Sequence, residues 1–274
     1  MKLDFDEVSV LIAQAAAEEV MPRFTKLSAA DVREKGPGDL VTVADVAMEH
    51  RLTPILAALM PEALVVGEEA AAADPGLLEQ LASARSAWVI DPIDGTSNFA
   101  EGRPLFGVMV ALLDRGEPVA AWIHDPVAQS TATAAKGEGA WLDGHGTGRR
   151  LAVAAPPADP GELRGTLNAG FFGNPALGRR VQSRRGRVRA VKSLRAAAHE
   201  YLRLAKGEAD FTLFTKLMPW DHAPGVLIHR EAGGTGRYLD RSPYRAALTQ
   251  AVGLLMAPDE TSWLALHRLL LEDE

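Results

Sequence analysis

The sequence predicts an α+β protein built in two halves, an antiparallel-sheet half followed by an α/β half. The first observation is a set of short apolar runs, Val108–Leu113, Val119–His124, Thr131–Ala135 and Ala140–Leu142. Gly and charged residues punctuate them at Arg115-Gly116-Glu117 and Lys136-Gly137-Glu138-Gly139, the texture of an antiparallel meander. The second is an alternation of strand-like and helix-like segments that begins beyond Pro156, Pro157, Pro160 and Gly161. The third is size and composition: 274 residues, 47% hydrophobic and 24% charged, suffice for one large domain with a substantial core. We therefore expect one domain over 1–274, with subdomains of about 1–155 and 156–274.

In chain order, Phe5 to Lys26 reads as a helix, with Val8, Leu11, Ile12, Ala15, Ala16 and Val20 on one face and acids in its first turn. Arg33 to Asp39 carries Gly36, Pro37 and Gly38 and reads as a surface loop. A second helix runs from Thr42 or Ala44 to Leu59 before Pro61, and Leu64–Val66 reads as a buried strand. An Ala-rich helical segment follows, then a strand, Ala87–Ile90, that stops at Asp91. Past the proline-rich boundary come strands at Thr166–Ala169 and Val188–Val191, a helix from Ser193 to Ala205 closed by Gly207, and a strand at Phe211–Phe214. A helix from about His222 to Ala232, closed by Gly233-Gly234, a strand at Gly253–Met256 and a helix from Thr261 complete the chain.

Composition excludes several functions. With no cysteine there is no disulfide framework, thiolate nucleophile or Cys-based zinc site. A net charge of −7 argues against a nucleic-acid binder. No apolar stretch is long enough to span a membrane, and Asp4, Asp6 and Glu7 stand where a signal peptide would be basic, so a cytoplasmic location is expected. One basic stretch, Arg179 to Lys192, has no acid within it. It reads either as a solvated edge or as a collar for an anionic substrate.

The chemistry is concentrated in Asp91-Pro92-Ile93-Asp94-Gly95-Thr96, directly after the apolar Trp88-Val89-Ile90. Two carboxylates at the end of a buried strand are costly unless paired or bound to cations. Gly95 permits close backbone approach, and Thr96 and Ser97 suit a helix start, where free N–H groups receive phosphate oxygens. Glu68 also follows a strand, and Asp221 precedes a helix that it could cap. Together these acids suit hard divalent ions, which prefer oxygen ligands. His124, His199 and His222 fit packing, capping or supporting roles better than ligation.

Glu68 in Gly67-Glu68-Glu69, the segment Asp91–Phe99, and Trp220-Asp221 leading to Glu231-Ala232-Gly233-Gly234 resemble the inositol monophosphatase family. Gly38 to Thr42 with Asp45, the Gly139-Ala140-Trp141 turn and Gly207 to Asp210 extend the resemblance over most of the chain. It implies an αβαβα layered sandwich, usually a homodimer, and Mg²⁺-dependent hydrolysis of a small-molecule phosphate ester such as an inositol monophosphate. It further implies two or three Mg²⁺ ions, with Mn²⁺ as an alternative. Glu68, Asp91 and the Ile93 carbonyl would hold the first; Asp91, Asp94 and Asp221 the second; Glu68 and waters a third. The backbone N–H groups of Gly95 and Thr96 would bind phosphate, Asp45 with the Thr96 hydroxyl would activate water, and Lys35 would stand near the metals on a mobile loop.

The sequence departs from the family's inositol-selective members at Phe214, seven residues before Asp221, where they carry a substrate-binding glutamate. A phenyl ring cannot accept a hydrogen bond from a polyol, which keeps histidinol phosphate, 3'-phosphoadenosine 5'-phosphate and fructose 1,6-bisphosphate open as substrates. Outside phosphatase chemistry stands a non-catalytic regulator that binds a phosphorylated ligand; it would be expected to have lost a carboxylate of the set, and none is missing. A dinucleotide-dependent hydride transfer lacks its glycine fingerprint after an early strand.

Overall fold

The computed structural model describes residues 3–36, 38–168, 170, 174–250 and 252–272. Pro37 in the expected loop and Ala169 at the end of an expected strand lie outside them. The first helix, α1 (Phe5–Ala15), starts where the Asp4 carboxylate accepts from the N–H groups of Asp6 and Glu7. It gives way to a π-helical turn over Ala16–Val20 rather than running to Lys26, and Pro22 comes next. The expected loop at 33–39 is instead an antiparallel hairpin, β1 (Val32–Gly36) with β2 (Asp39–Thr42). Its pairing was not legible because the strands are short and polar. The hairpin leads into α2 (Val43–Leu59), opened by a capping box between Thr42 and Asp45.

Seven strands then lie side by side in chain order: β3 (Leu64–Gly67), β4 (Ser86–Asp94), β5 (Gly107–Asp114), β6 (Glu117–Asp125), β7 (Ser130–Ala135), β8 (Gly139–Leu142) and β9 (Arg149–Arg150). Only β3 and β4 pair in parallel; the rest form the meander the sequence predicts. Two short helices, α3 (Glu68–Ala73) and α4 (Gly76–Ser83), connect β3 to β4, and α5 (Thr96–Ala100) follows β4. Strand β4 does not stop at Asp91. It resumes pairing with β5 at Asp94, after a register shift that absorbs Pro92, which has no N–H to donate.

The second sheet has the order β11-β10-β12-β14-β13, with β10 (Arg164–Leu167), β11 (Arg189–Val191), β12 (Phe211–Phe214), β13 (Thr235–Tyr238) and β14 (Leu254–Ala257). Its helices are α6 (Pro175–Ser183), α7 (Ala197–Ala205), α8 (Pro219–Glu231) and α9 (Glu260–Leu271).

Side-chain packing stacks these parts in five layers. Val8, Ile12, Met48 and Leu52 of α1 and α2 cover Trp88, Ile90, Val110 and Trp122 on one face of the large sheet. The opposite face meets α7 and α8, which also bury Phe214, Leu254 and Met256 of the second sheet. The far face of that sheet packs Phe211, Leu213 and Leu255 on Val181 of α6 and on Trp263 and Leu266 of α9. The result is an αβαβα sandwich. Because strands β4 and β5 are covered on both faces, they read as continuous apolar runs rather than alternating ones.

Candidate metal and phosphate site

Four acids from three separate parts of the chain converge on one acidic cup. Glu68 is the first residue of α3 after β3, Asp91 lies within β4, Asp94 ends β4, and Asp221 stands in the first turn of α8. Helix α8 begins at Pro219, a residue suited to the first helical position, so Asp221 is inside the helix rather than its cap. One carboxylate oxygen each from Glu68, Asp91 and Asp221 lies within 4.8 Å of the others. Asp91 is 2% exposed, and its Oδ1 has no hydrogen-bond partner among the described residues. Burial, reinforced by the charge of Glu68, pushes the carboxyls of Asp91 and Asp221 well above the ordinary range. An all-oxygen donor set with an orphaned buried acceptor fits a hard divalent cation, which would remove both penalties.

The neighbours hold these acids in place. Glu49 accepts from the N–H groups of Glu69 and Ala70, 2.8 Å each, and so anchors the start of α3 behind Glu68. Asp94 lines the cup, but its two oxygens accept from Ala197 and Ala198 at 3.0 and 2.7 Å. That contact starts α7 at Ala197, four residues later than Ser193, and leaves Asp94 outside the group of three. Burial raises the Asp94 carboxyl to about 7, against those two hydrogen bonds. The Asp45 carboxyl is also raised to about 7 by burial, although the Thr42 hydroxyl and N–H oppose the rise.

Thr96 joins the two sides of the cup. Its hydroxyl lies 3.2 Å from Asp45 Oδ1 and 3.0 Å from the carbonyl oxygen of Ile93. Gly95 adopts φ +85°, and a Cβ there would stand 2.9 Å from both Ala196 Cβ and the Leu105 carbonyl, so no side chain fits. Lys35 reaches from the hairpin to Glu68 and Glu69, at 2.7 and 2.8 Å. Burial opposes its charge, but the two carboxylates outweigh burial and raise its pKa.

Two features that the sequence left open take a definite place in the structure. Phe214, which stands where inositol-selective members carry a glutamate, is 6% exposed, stacks on Tyr201 with centroids 4.9 Å apart and is not among the residues lining the cup. Of the two readings of the basic stretch, the contacts of its arginines fit the edge rather than the collar. Arg180, Arg184 and Arg187 donate to carbonyls of Leu271, Glu272 and Leu269 at the end of α9, while Arg185 bridges Leu167 and Val191. None of them lines the cup. Conversely, Asp39, Arg195 and Lys216 do line it and went unremarked, since each is an isolated charge in an unexceptional local pattern. Asn98 was also missed as a positioning residue: its amide donates to the carbonyls of Leu105 and Leu194 and ties α5, just after the Gly95 turn, to the α7 approach.

Comparison with known proteins identifies the family and the fold. The sequence model of the inositol monophosphatase family matches residues 2–272. A fructose-1,6-bisphosphatase/inositol-1-monophosphatase of Aquifex aeolicus is 31% identical over 83% of each chain. The Nus factor SuhB of Pseudomonas aeruginosa is 32% identical over 83% of this chain and 82% of its own. The crystal structure of the extragenic suppressor protein suhB from Bartonella henselae shares the fold, with a TM-score of 0.79 at 24% identity over 98% of this chain and all of that one. Five layers, a cup of carboxylates where they meet, and a sequence match running almost from end to end lead to one assignment: this chain belongs to the inositol monophosphatase family.

Proposed function

We propose that the chain is a Mg²⁺-dependent phosphomonoesterase acting on a small phosphorylated metabolite. The observation that carries this reading is the convergence of Glu68, Asp91 and Asp221 around an unpartnered Asp91 oxygen. In this reading Glu68, Asp91 and the Ile93 carbonyl would hold one ion, and Asp91, Asp94 and Asp221 would hold a second. A third rests on Glu68. Each Asp94 oxygen keeps a lone pair beyond the one used by α7, so capping and ligation are compatible. Mn²⁺ suits the same oxygen donors. When bound, the ions would offset the charge of the phosphate dianion, acidify water and stabilise the departing alkoxide.

The chain's own residues supply the rest. The N–H groups of Gly95 and Thr96 receive phosphate oxygens, their position fixed by the tight Gly95 turn. Thr96 Oγ orients the attacking water and relays its proton to Asp45, whose buried carboxyl is raised in the metal-free protein and so has a greater proton affinity than an exposed aspartate. The water oxygen bonds to phosphorus, the P–O ester bond breaks, and the leaving oxygen takes a proton from solvent.

The 1–155 subdomain would bring metal and phosphate contacts and the 156–274 subdomain Asp221, within a homodimer. Among the described residues no helix is long and apolar enough to cross a membrane, which supports the cytoplasmic reading. The names of the relatives keep inositol monophosphates and fructose 1,6-bisphosphate among the candidate substrates, with histidinol phosphate and 3'-phosphoadenosine 5'-phosphate. Phosphate release from this panel should require Mg²⁺, stop with a chelator and return on adding Mg²⁺ back. No release from any member, or release indifferent to chelation, would refute the reading.

A further inference from the structure

Two cations stand at the open end of the cup, and neither belongs to the metal or phosphate machinery. Arg195 and Lys216 both line it, with side chains 47% and 55% exposed, whereas Asp91 and Asp94 lie at its buried end. Arg195 sits at φ +59°, a conformation that non-glycine residues seldom adopt without surrounding constraint. The constraint is visible. Asn98 holds the Leu194 carbonyl at 2.9 Å, and the Leu194 N–H donates to the buried Glu200 at 2.8 Å.

Lys216 is fixed by a second device. Its carbonyl can only accept, so His222 Nε2, 2.8 Å away, carries the proton. His222 Nδ1 then accepts from the Tyr201 hydroxyl at 3.1 Å. The present partners of both cations are exposed carboxylates: Glu101 for Arg195 at 3.2 Å and Asp39 for Lys216 at 3.3 Å. Exposed pairs of this kind contribute little to stability and exchange readily for a ligand anion.

The cup also opens into a cavity of about 460 Å³ that shares Asp39, Glu68 and Lys216 with it. Leu78, Met218 and Trp220 give this cavity apolar walls. A leaving group here meets a hydrophobic surface and the Lys216 ammonium, beside Lys35, which Glu68 and Glu69 already hold, while Phe214 lies in the core.

We infer that the leaving group of the substrate carries a second anionic group, a carboxylate or a phosphate, held between Lys216 and Arg195. This rests on the phosphomonoesterase reading and narrows its substrate class to phosphate esters with a second negative charge. Two matched pairs test it at saturating Mg²⁺: 3-phosphoglycerate against glycerol 1-phosphate, and fructose 1,6-bisphosphate against fructose 1-phosphate. In the wild type, kcat/KM should favour the doubly anionic member of at least one pair by about tenfold or more, as expected for charge-assisted contacts. Lys216→Gln or Arg195→Asn should reduce that ratio at least about fivefold through KM, and Lys216→Arg should restore most of it. Asn is chosen at 195 because it tolerates the positive φ.

A purely structural role would lower both members of a pair alike and leave the ratio fixed. Wild-type ratios near one in both pairs, or ratios that both variants leave unmoved, overturn this inference while phosphate release continues to support the enzyme class. No phosphate release from any of the four esters overturns this inference, and the enzyme class falls with it when the wider panel above is refused as well.

Discussion

Asp91 is the residue at which burial, charge and chemistry meet. Its carboxylate is enclosed in a strand covered on both faces, one oxygen has no partner, and Glu68 and Asp221 stand close by. Asp91→Asn keeps the volume and removes the charge. We expect kcat to fall by about 100-fold or more, the scale of losing a principal electrostatic element. In the absence of Mg²⁺ the same variant should melt no lower than wild type, because a buried unpaired charge has been deleted. Melting curves with and without Mg²⁺, together with turnover, check both statements; near-normal turnover in the folded variant would refute the ligand assignment. At this scale the sequence was readable where cost made residues conspicuous: acids beside Trp88-Val89-Ile90 demanded a reason. It was unreadable at Arg195 and Lys216, whose importance lies in what the fold sets opposite them. Phe214 was conspicuous for the wrong reason. Its ring belongs to the stack with Tyr201, which no local pattern reveals.

Elements earn their positions by what they hold. Strands of the large sheet were legible because apolar runs bounded by Gly turns have few alternative readings. Helix starts were less so, because tertiary contacts set them: Asp94, more than 100 residues upstream, caps α7, and Pro219 moves the start of α8 ahead of Asp221. Packing between α7 and α8 depends on Gly225. A Cβ built there would lie 2.0 Å from a ring carbon of Tyr201. That ring cannot retreat, since it is fully buried, stacked on Phe214 and bonded through its hydroxyl to His222. Gly225→Ala should therefore destabilise the protein by about 3 kcal/mol, at the upper end for overpacking. Urea unfolding would read this as a lower midpoint. A change below about 0.5 kcal/mol, the range of unremarkable surface substitutions, would mean that the two helices separate more easily than their contacts imply.

Over the whole molecule, two sets of buried groups pull stability in opposite directions with pH. His222 and His229 are held neutral by burial, at about 4 and about 3. Their unfolded pKa is near 6.5, so their contribution is complete above that value and is lost as pH falls toward the folded values. Asp45 and Asp94 behave the other way. Burial raises both to about 7 from an unfolded value near 3.9, so the metal-free folded state binds the extra protons between about pH 4 and 7. Stability from these two acids is present below pH 4 and is lost as pH rises through 7. A divalent cation needs Asp91, Asp94 and Asp221 ionised, and burial raises all three carboxyls, so the ion must displace their protons and its affinity should climb with pH. The histidine contribution is common to protein with and without Mg²⁺ and cancels in the difference between them. The Mg²⁺-induced rise in Tm should thus be small at pH 5 and larger at pH 8. With Mg²⁺ at about 100 times its Kd, the stabilisation is about 2.7 kcal/mol, or about 5–10 °C for a chain of this size. Equal shifts at the two pH values would show that the ion binds away from the buried acids, and a shift that survives in Asp91→Asn would place it outside the cup altogether.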